Sequence, residues 1–156
     1  MPSPDRDVPG VIAPPPLIYL AGLLLGFVLE IVLPGASLPG ILRWGLGGAL
    51  LALGLGLLGW WAVSFRRAGT PMPPWEETTA LVTDGPYRLS RNPAYFADVL
   101  VYGGIALLAD APWALVPLPA VIAVMQQGVI VREERYLERL FGQQYRDFKA
   151  VTRRWI

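Results

Sequence analysis

The sequence predicts an all-α polytopic membrane protein, with four transmembrane helices and a helical extension after the last one. Three observations carry that expectation. Apolar residues make up 54% of the chain and charged residues only 16%, where a soluble domain ordinarily carries about 25% charged. The mean hydropathy is +0.45, and a globule of 156 residues is too small to bury that much apolar side chain. Twelve of the thirteen basic residues also fall on one side of the four apolar segments.

The segments follow in order within a single domain, 1–156. A polar, proline-rich tail, 1–16, precedes the first apolar segment, 17–33, whose one charge is Glu30. The second segment, 41–65, is free of charge from Trp44 to Phe65. The third, 93–109, holds one charge, Asp98, and the fourth, 111–131, holds none. About 20 residues cross a hydrocarbon core. The second and fourth segments meet that length; the first and third approach it. A soluble bundle would need a polar face on each helix, and the second segment has none. The remainder, 132–156, reads as a cytoplasmic helical tail.

Orientation follows from charge. Arg6, the loop after the second segment and the 132–156 tail hold every basic residue except Arg43. The positive-inside rule then puts both termini in the cytoplasm. The leader is acidic as well as basic and rich in proline, unlike the cationic start of a signal peptide. The outer connections are short, so function is expected in the membrane or at its cytoplasmic face.

Glycines punctuate the first two segments. Gly22 and Gly26 stand at the spacing that lets helices approach closely. Trp60 and Trp61 read as headgroup-level belt residues, and Glu30 as an interfacial acid. Absence of cysteine and histidine removes disulfides, thiol nucleophiles, nearly all zinc sites and the commonest general base. No metal and no nucleic acid is expected as a partner.

Two polar stretches flank the last two segments. In the first, Asp84-Gly85-Pro86 signals a turn. Asn92 then reads as an N-cap with Pro93 at the first helical position. Capping leaves Tyr87, Arg88, Arg91 and Tyr95 unexplained. In the second, 132–155, Leu137, Leu140 and Phe141 form a helical stripe. Gly142 marks a break before an amphipathic piece bearing Tyr145 and Phe148. Glu133 and Glu134 sit at the membrane boundary, where an unpaired carboxylate is costly. They point about 100° apart, so at most one faces inward. Asp98 contacts substrate or pairs with an arginine such as Arg91. Gln126 shares the Glu133 face better than Gln127 does.

The residues "LVTDGPYRLSRNPAYFAD", Leu81–Asp98, followed after one hydrophobic hairpin by "EERYLERLFGQQYRDF", Glu133–Phe148, resemble the integral-membrane methyltransferase superfamily in its bacterial form. That superfamily includes isoprenylcysteine carboxyl methyltransferases and phospholipid N-methyltransferases. The match spans Leu81 to Tyr145, with both blocks in order. The resemblance implies an S-adenosylmethionine site on the cytoplasmic side of the last two helices, in a bacterial inner membrane. By motif position Thr79, Ala80, Leu81 and Val82 would touch the cofactor through backbone. Tyr87, Asn92, Pro93, Ala94, Tyr95 and Glu133 would complete the cofactor site. Asn92 stands where the isoprenylcysteine enzymes have histidine, and Ala97 where they have glycine. Val129 stands where they place an arginine for the substrate's carboxylate, which points away from that substrate.

Methyl transfer from a sulfonium needs alignment more than acid–base chemistry. Aromatic faces stabilise the cation, and a carboxylate accepts hydrogen bonds from ribose hydroxyls or an amino group. Asp98, Glu134 and Arg91 are the candidate catalytic residues; Gln126, Gln127 and Arg88 are candidate substrate contacts. The expected acceptor is a membrane lipid or another hydrophobic small molecule. Two alternatives stand beside this one. Membrane sterol reductases, which bind NADPH, share a similar Arg-His-Pro-x-Tyr element but carry more helices. A non-catalytic scaffold or transporter is the other, although a transporter would place its polar groups near the midplane.

Overall fold

The structure, a computed structural model, describes residues 8–33, 35, 37–73 and 76–156. The described residues contain helices and no strand. Helix α1 runs Pro15–Val32, two residues earlier than the apolar run suggests, because two prolines suit the first helical turn. A π-helical turn, Ile41–Leu46, leads into α2, Gly47–Ala68, which stops at Gly69 in the left-handed region, φ 64°. Helix α3 is Pro93–Leu108. After a tight turn at Pro112–Leu115 come α4, Leu118–Met125, a second π turn, Gln126–Ile130, and α5, Val131–Phe141. Gly142 breaks the rod, and α6, Gln143–Val151, follows.

Among the described residues, three stretches are long and apolar enough to cross a membrane: Pro15–Val32, Ile41–Ala68 and Pro112–Phe141. Helix α3, with 16 residues, is about 24 Å long at 1.5 Å per residue, short of the ~30 Å hydrocarbon core.

Small residues face inward and large apolar ones outward, as expected where lipid is the solvent. Leu24, Leu25 and Val28 of α1 and Leu53 and Leu55 of α2 are exposed. The core holds Ala97, Ala106, Ala111 and Ala114 beside Tyr19, Tyr102, Val121, Met125 and Val129. Helix α3 lies between α2 and α1. Glycines permit the close approaches. A methyl at Gly104 would lie 2.7 Å from the Leu51 backbone nitrogen, and one at Gly26 would overlap the backbone of Ala114. Buried Tyr102 donates its hydroxyl to the Ala114 carbonyl at 2.7 Å.

One end of the bundle is tied by Asp110, at φ 57°. Its carboxylate accepts from Ser37 Oγ (2.6 Å) and the Leu38 amide (2.7 Å), and pairs with Arg43 at 3.2 Å. These bonds and the Arg43 charge hold the Asp110 carboxyl below the usual carboxylate range. Glu30 belongs to the same end. It accepts the Trp113 backbone N–H of the Pro112–Leu115 turn at 3.0 Å.

Candidate functional site

The opposite end gathers the first turn of α1, the last turns of α2, the first turns of α3, and α5 and α6. They enclose a cavity of about 440 Å³, within the range of small-molecule sites.

The turn before α3 sets one wall. Gly85 is left-handed, φ 65°, and a methyl there would lie 2.5 Å from Ser64 Oγ. Only glycine suits that position on both counts. The turn delivers Tyr87, whose hydroxyl accepts from Trp61 Nε1 at 3.1 Å. Rings then continue without a gap: Trp61–Phe65 at 5.0 Å, Phe65–Tyr87 at 6.0 Å, Tyr87–Phe148 at 6.4 Å and Tyr145–Phe148 at 6.2 Å. Burial pushes the Tyr87 and Tyr145 hydroxyls well above the ordinary tyrosine value, so both stay neutral.

The other wall joins α3 to α5. The Tyr95 hydroxyl donates to Glu133 Oε1 at 2.7 Å, and the Tyr95 carbonyl accepts from Tyr19 at 3.0 Å. Asp98 also lines the cavity and has no hydrogen-bond or ion-pair partner among the described residues. Tyr136, one turn after Glu133 on the same face, lines it too and accepts the Thr78 amide at 3.2 Å.

Beside the cavity lies a buried charge cluster. Glu134 Oε1 accepts from Arg91 Nε and Nη2, both at 3.2 Å, and from Arg154 Nε at 3.0 Å. Its Oε2 accepts from Arg154 Nη2 at 2.6 Å. Arg91 also donates to the carbonyls of Lys149 and Thr152. The Glu134 bonds hold the Arg154 guanidinium above its ordinary range.

Of the residues singled out in the sequence, Ala80, Leu81, Val82, Tyr87, Asn92, Ala94, Tyr95, Glu133, Asp98 and Arg91 line the cavity. The others lie elsewhere. Thr79 is exposed, and its amide donates to Thr70 Oγ1 at 3.0 Å. Pro93 is buried at the start of α3. Glu134 is taken up in the charge cluster. Arg88 is exposed and pairs with Asp84 at 2.9 Å. Gln126 accepts from Trp155 Nε1 at 3.0 Å, and Gln127 is exposed.

Two local expectations need correction. Asn92 precedes α3 but its side chain makes no capping bond; Nδ2 donates to the Arg154 carbonyl at 3.0 Å. Trp61 is turned inward onto Tyr87. Its face was readable in principle, because Trp61 lies seven residues after Gly54, and Gly54 abuts Ala97 and Val101 of α3. The sequence reading also passed over Pro9, Pro15 and Pro16, and Met72 in the loop after α2, all lining residues. Prolines in a polar tail carry no periodic signal that would have found them.

The arrangement suits a cation. Two carboxylates and a run of aromatic faces line it. The guanidinium of Arg91, which also borders it, is committed to Glu134 and two carbonyls. No group of carboxylates among the described residues is disposed to hold a metal ion.

Comparisons with known proteins bear on this site. The family model described as phospholipid methyltransferase matches residues 42–144, which contain most of the lining side chains. Over 35 residues the chain is 51% identical to an uncharacterized protein of Haemophilus influenzae. That stretch is 22% of this chain and 56% of the other, so the chain spans about half the length of that relative. No solved structure matches.

Proposed function

The chain belongs to the phospholipid methyltransferase family, and from that premise we propose that it transfers a methyl group from S-adenosylmethionine to a lipidic or small hydrophobic acceptor. The observation that carries this reading is the cavity at one end of the bundle, lined by Glu133 and Asp98 together with the rings of Trp61, Tyr87 and Tyr95. That donor set fits the cofactor: carboxylates for its ammonium or ribose hydroxyls, and aromatic faces for its sulfonium.

When bound, S-adenosylmethionine supplies an electrophilic methyl on a cationic sulfur. In our assignment Glu133, steadied by Tyr95, accepts hydrogen bonds from the cofactor's polar groups. The segment Ala80–Val82 lends backbone, and Tyr87, fixed by Trp61, lends a ring. Asp98 is the group placed to take a proton from an acceptor that must lose one, since no group among the described residues engages its carboxylate. Arg91 and Glu134 we assign to holding the site together, because each is saturated by the other and by the chain's last turns. Gln126, Gln127 and Arg88 lie off the cavity, and we assign them no substrate contact. With Arg91 committed, a carboxylate acceptor finds no free counter-charge among the described lining residues, and a neutral or amine nucleophile is favoured. The phosphates of NADPH meet the same lack of a cation.

We place this end of the bundle at the cytoplasmic face of a bacterial inner membrane, with α3 as a fourth crossing. Twelve of the thirteen basic residues then lie inside. The test uses purified protein in detergent with methyl-labelled donor and a lipid extract, read by mass spectrometry, alongside titration with S-adenosylhomocysteine and NADPH. A labelled lipid and homocysteine-nucleoside binding are expected. Binding of NADPH alone would overturn the reading.

A further inference from the structure

The last residues of the chain, Thr152–Trp155, grip the turn that opens α3. The Arg91 backbone N–H donates to the Arg153 carbonyl at 2.8 Å. Ser90 Oγ and Asn92 Nδ2 both donate to the Arg154 carbonyl, each at 3.0 Å, and the Asn92 backbone N–H donates back to Ser90 Oγ at 3.0 Å. Side chains lock the same segment from outside: Arg154 onto Glu134, and Trp155 onto Gln126 at the π turn between α4 and α5. Ser90 and Asn92 are buried, at 1% and 7% exposure.

This arrangement fixes the chemistry of the Asn92 amide. A carbonyl oxygen accepts and cannot donate, so the face of the amide turned to Arg154 must be its NH₂. The side-chain oxygen, Oδ1, has no hydrogen-bond partner among the described residues. Asn92 lines the cavity, and no buried side-chain polar atom among the described residues lacks a partner, so Oδ1 is left accessible on a residue that borders the cavity. Were the amide released, it could turn and present NH₂ there instead. A carbonyl-type oxygen attracts a cation; an NH₂ repels one.

We propose that Thr152–Trp155 is a positioning element of the site, holding Asn92 so that its Oδ1, not its NH₂, faces a cationic ligand. The proposal rests on the S-adenosylmethionine reading given above. It assigns a role to Ser90 and to the Arg153 and Arg154 carbonyls, none of which borders the cavity.

The test compares two ligands that differ in charge at one sulfur: S-adenosylmethionine, a sulfonium, and S-adenosylhomocysteine, a neutral thioether. Both are titrated calorimetrically against wild-type protein, a chain ending at Val151, and Ser90→Ala. Loss of the grip should weaken sulfonium binding roughly tenfold more than thioether binding, the size of one hydrogen-bond-like contact to a charged group. In an Asn92→Ala background, shortening the chain should leave the ratio of the two affinities unchanged, since the oxygen it orients is gone. Equal weakening of both ligands means a merely structural tail and overturns the proposal. If the shortened chain does not fold, Ser90→Ala alone decides: its ratio either shifts toward the thioether or sinks the idea. Wild-type protein that binds neither ligand would instead remove the S-adenosylmethionine reading, and this inference with it.

Discussion

Glu133 and Glu134 are adjacent in sequence, yet their surroundings predict opposite consequences for the same substitution. The Glu134 side chain is 7% exposed and carries the charge of Arg91, itself 9% exposed, and of Arg154, 34% exposed. Breaking a buried pair costs about 3–5 kcal/mol, because a charge is left uncompensated. The Arg154 share is discounted toward the ~1 kcal/mol of a surface pair, and Arg91 keeps two carbonyl acceptors. Glu134→Gln should therefore cost about 3 kcal/mol. At about 2–4 °C per kcal/mol for a chain of this size, that lowers the melting temperature by ~6–12 °C. Glu133→Gln keeps an oxygen for the Tyr95 hydroxyl and should shift the melt by less than ~3 °C. It should nonetheless weaken S-adenosylhomocysteine binding by about tenfold or more, as a charge-assisted hydrogen bond is lost. Tryptophan fluorescence melts in detergent micelles and calorimetric titration read the two quantities separately. A Glu134→Gln protein that melts with wild type, or a Glu133→Gln protein that binds the ligand unchanged, would refute the division of labour.

Other substitutions probe the remaining supports. Asp98→Asn should lower the transfer rate by about 10²–10⁴-fold, the usual worth of a positioned proton acceptor, while S-adenosylhomocysteine affinity stays within a few-fold; intact turnover would remove Asp98 from the chemistry. Trp61→Phe keeps a ring but loses the bond to Tyr87, and ligand affinity should fall by about 3–10-fold. Gly104→Ala forces a methyl against the Leu51 backbone and should destabilise by about 1–3 kcal/mol. Gly56→Ala, with nothing within 4 Å, should stabilise by up to ~1 kcal/mol; equal melts would show that α2 and α3 do not pack as described. At the far end, the Asp110 carboxyl lies below its ordinary range, so its contribution is present above about pH 4 and fades as pH falls through the lowered value. Asp110→Asn should flatten the acid limb of a melting-temperature profile relative to wild type.

How far the site could be read from sequence depended on where each side chain's partner lies. Tyr87, Tyr95 and Glu133 sit in two short motif blocks, and it was the family resemblance of those blocks that suggested a shared site; their spacing alone left each role open. Asn92 was expected to cap α3, because asparagine is a favoured N-cap and proline a favoured first helical residue. Its actual partner is a carbonyl 62 residues away, and a distant acceptor outcompeted the local one. The same range effect governs Glu134, whose role is decided by arginines 43 and 20 residues distant. Helical phase could say only that one of the two acids faces inward. For Glu30 and Trp61, residue type suggested the membrane interface, yet each found a protein partner: a backbone amide on another element for one, a tyrosine hydroxyl for the other. Apolar helices themselves were legible because their length and composition answer to the bilayer.

Unequal helix lengths explain why the cavity lies at one end. Helix α3 is tied at its far end through Asp110 and Arg43 to the start of α2, so α2 and α3 begin there nearly level. From that level α3 runs about 24 Å, while α2, with 22 residues, runs about 33 Å, and the helical run 118–141, with 8, 5 and 11 residues in its three parts, about 36 Å. The longer rods therefore stand beyond Pro93 as walls around a space that α3 does not fill. Into it fold the Gly85–Asn92 turn, the loop after α2, the first turn of α1 and α6, each contributing aromatic, proline or backbone groups. Asp98 and Glu133 thus lie below the rim of the surrounding helices, where water is scarce and charge interactions are strengthened. A bundle of equal helices would leave no such recess, and its carboxylates would have to sit in loops, solvated and weak. The short third helix is the element that leaves room for the cavity and its two carboxylates.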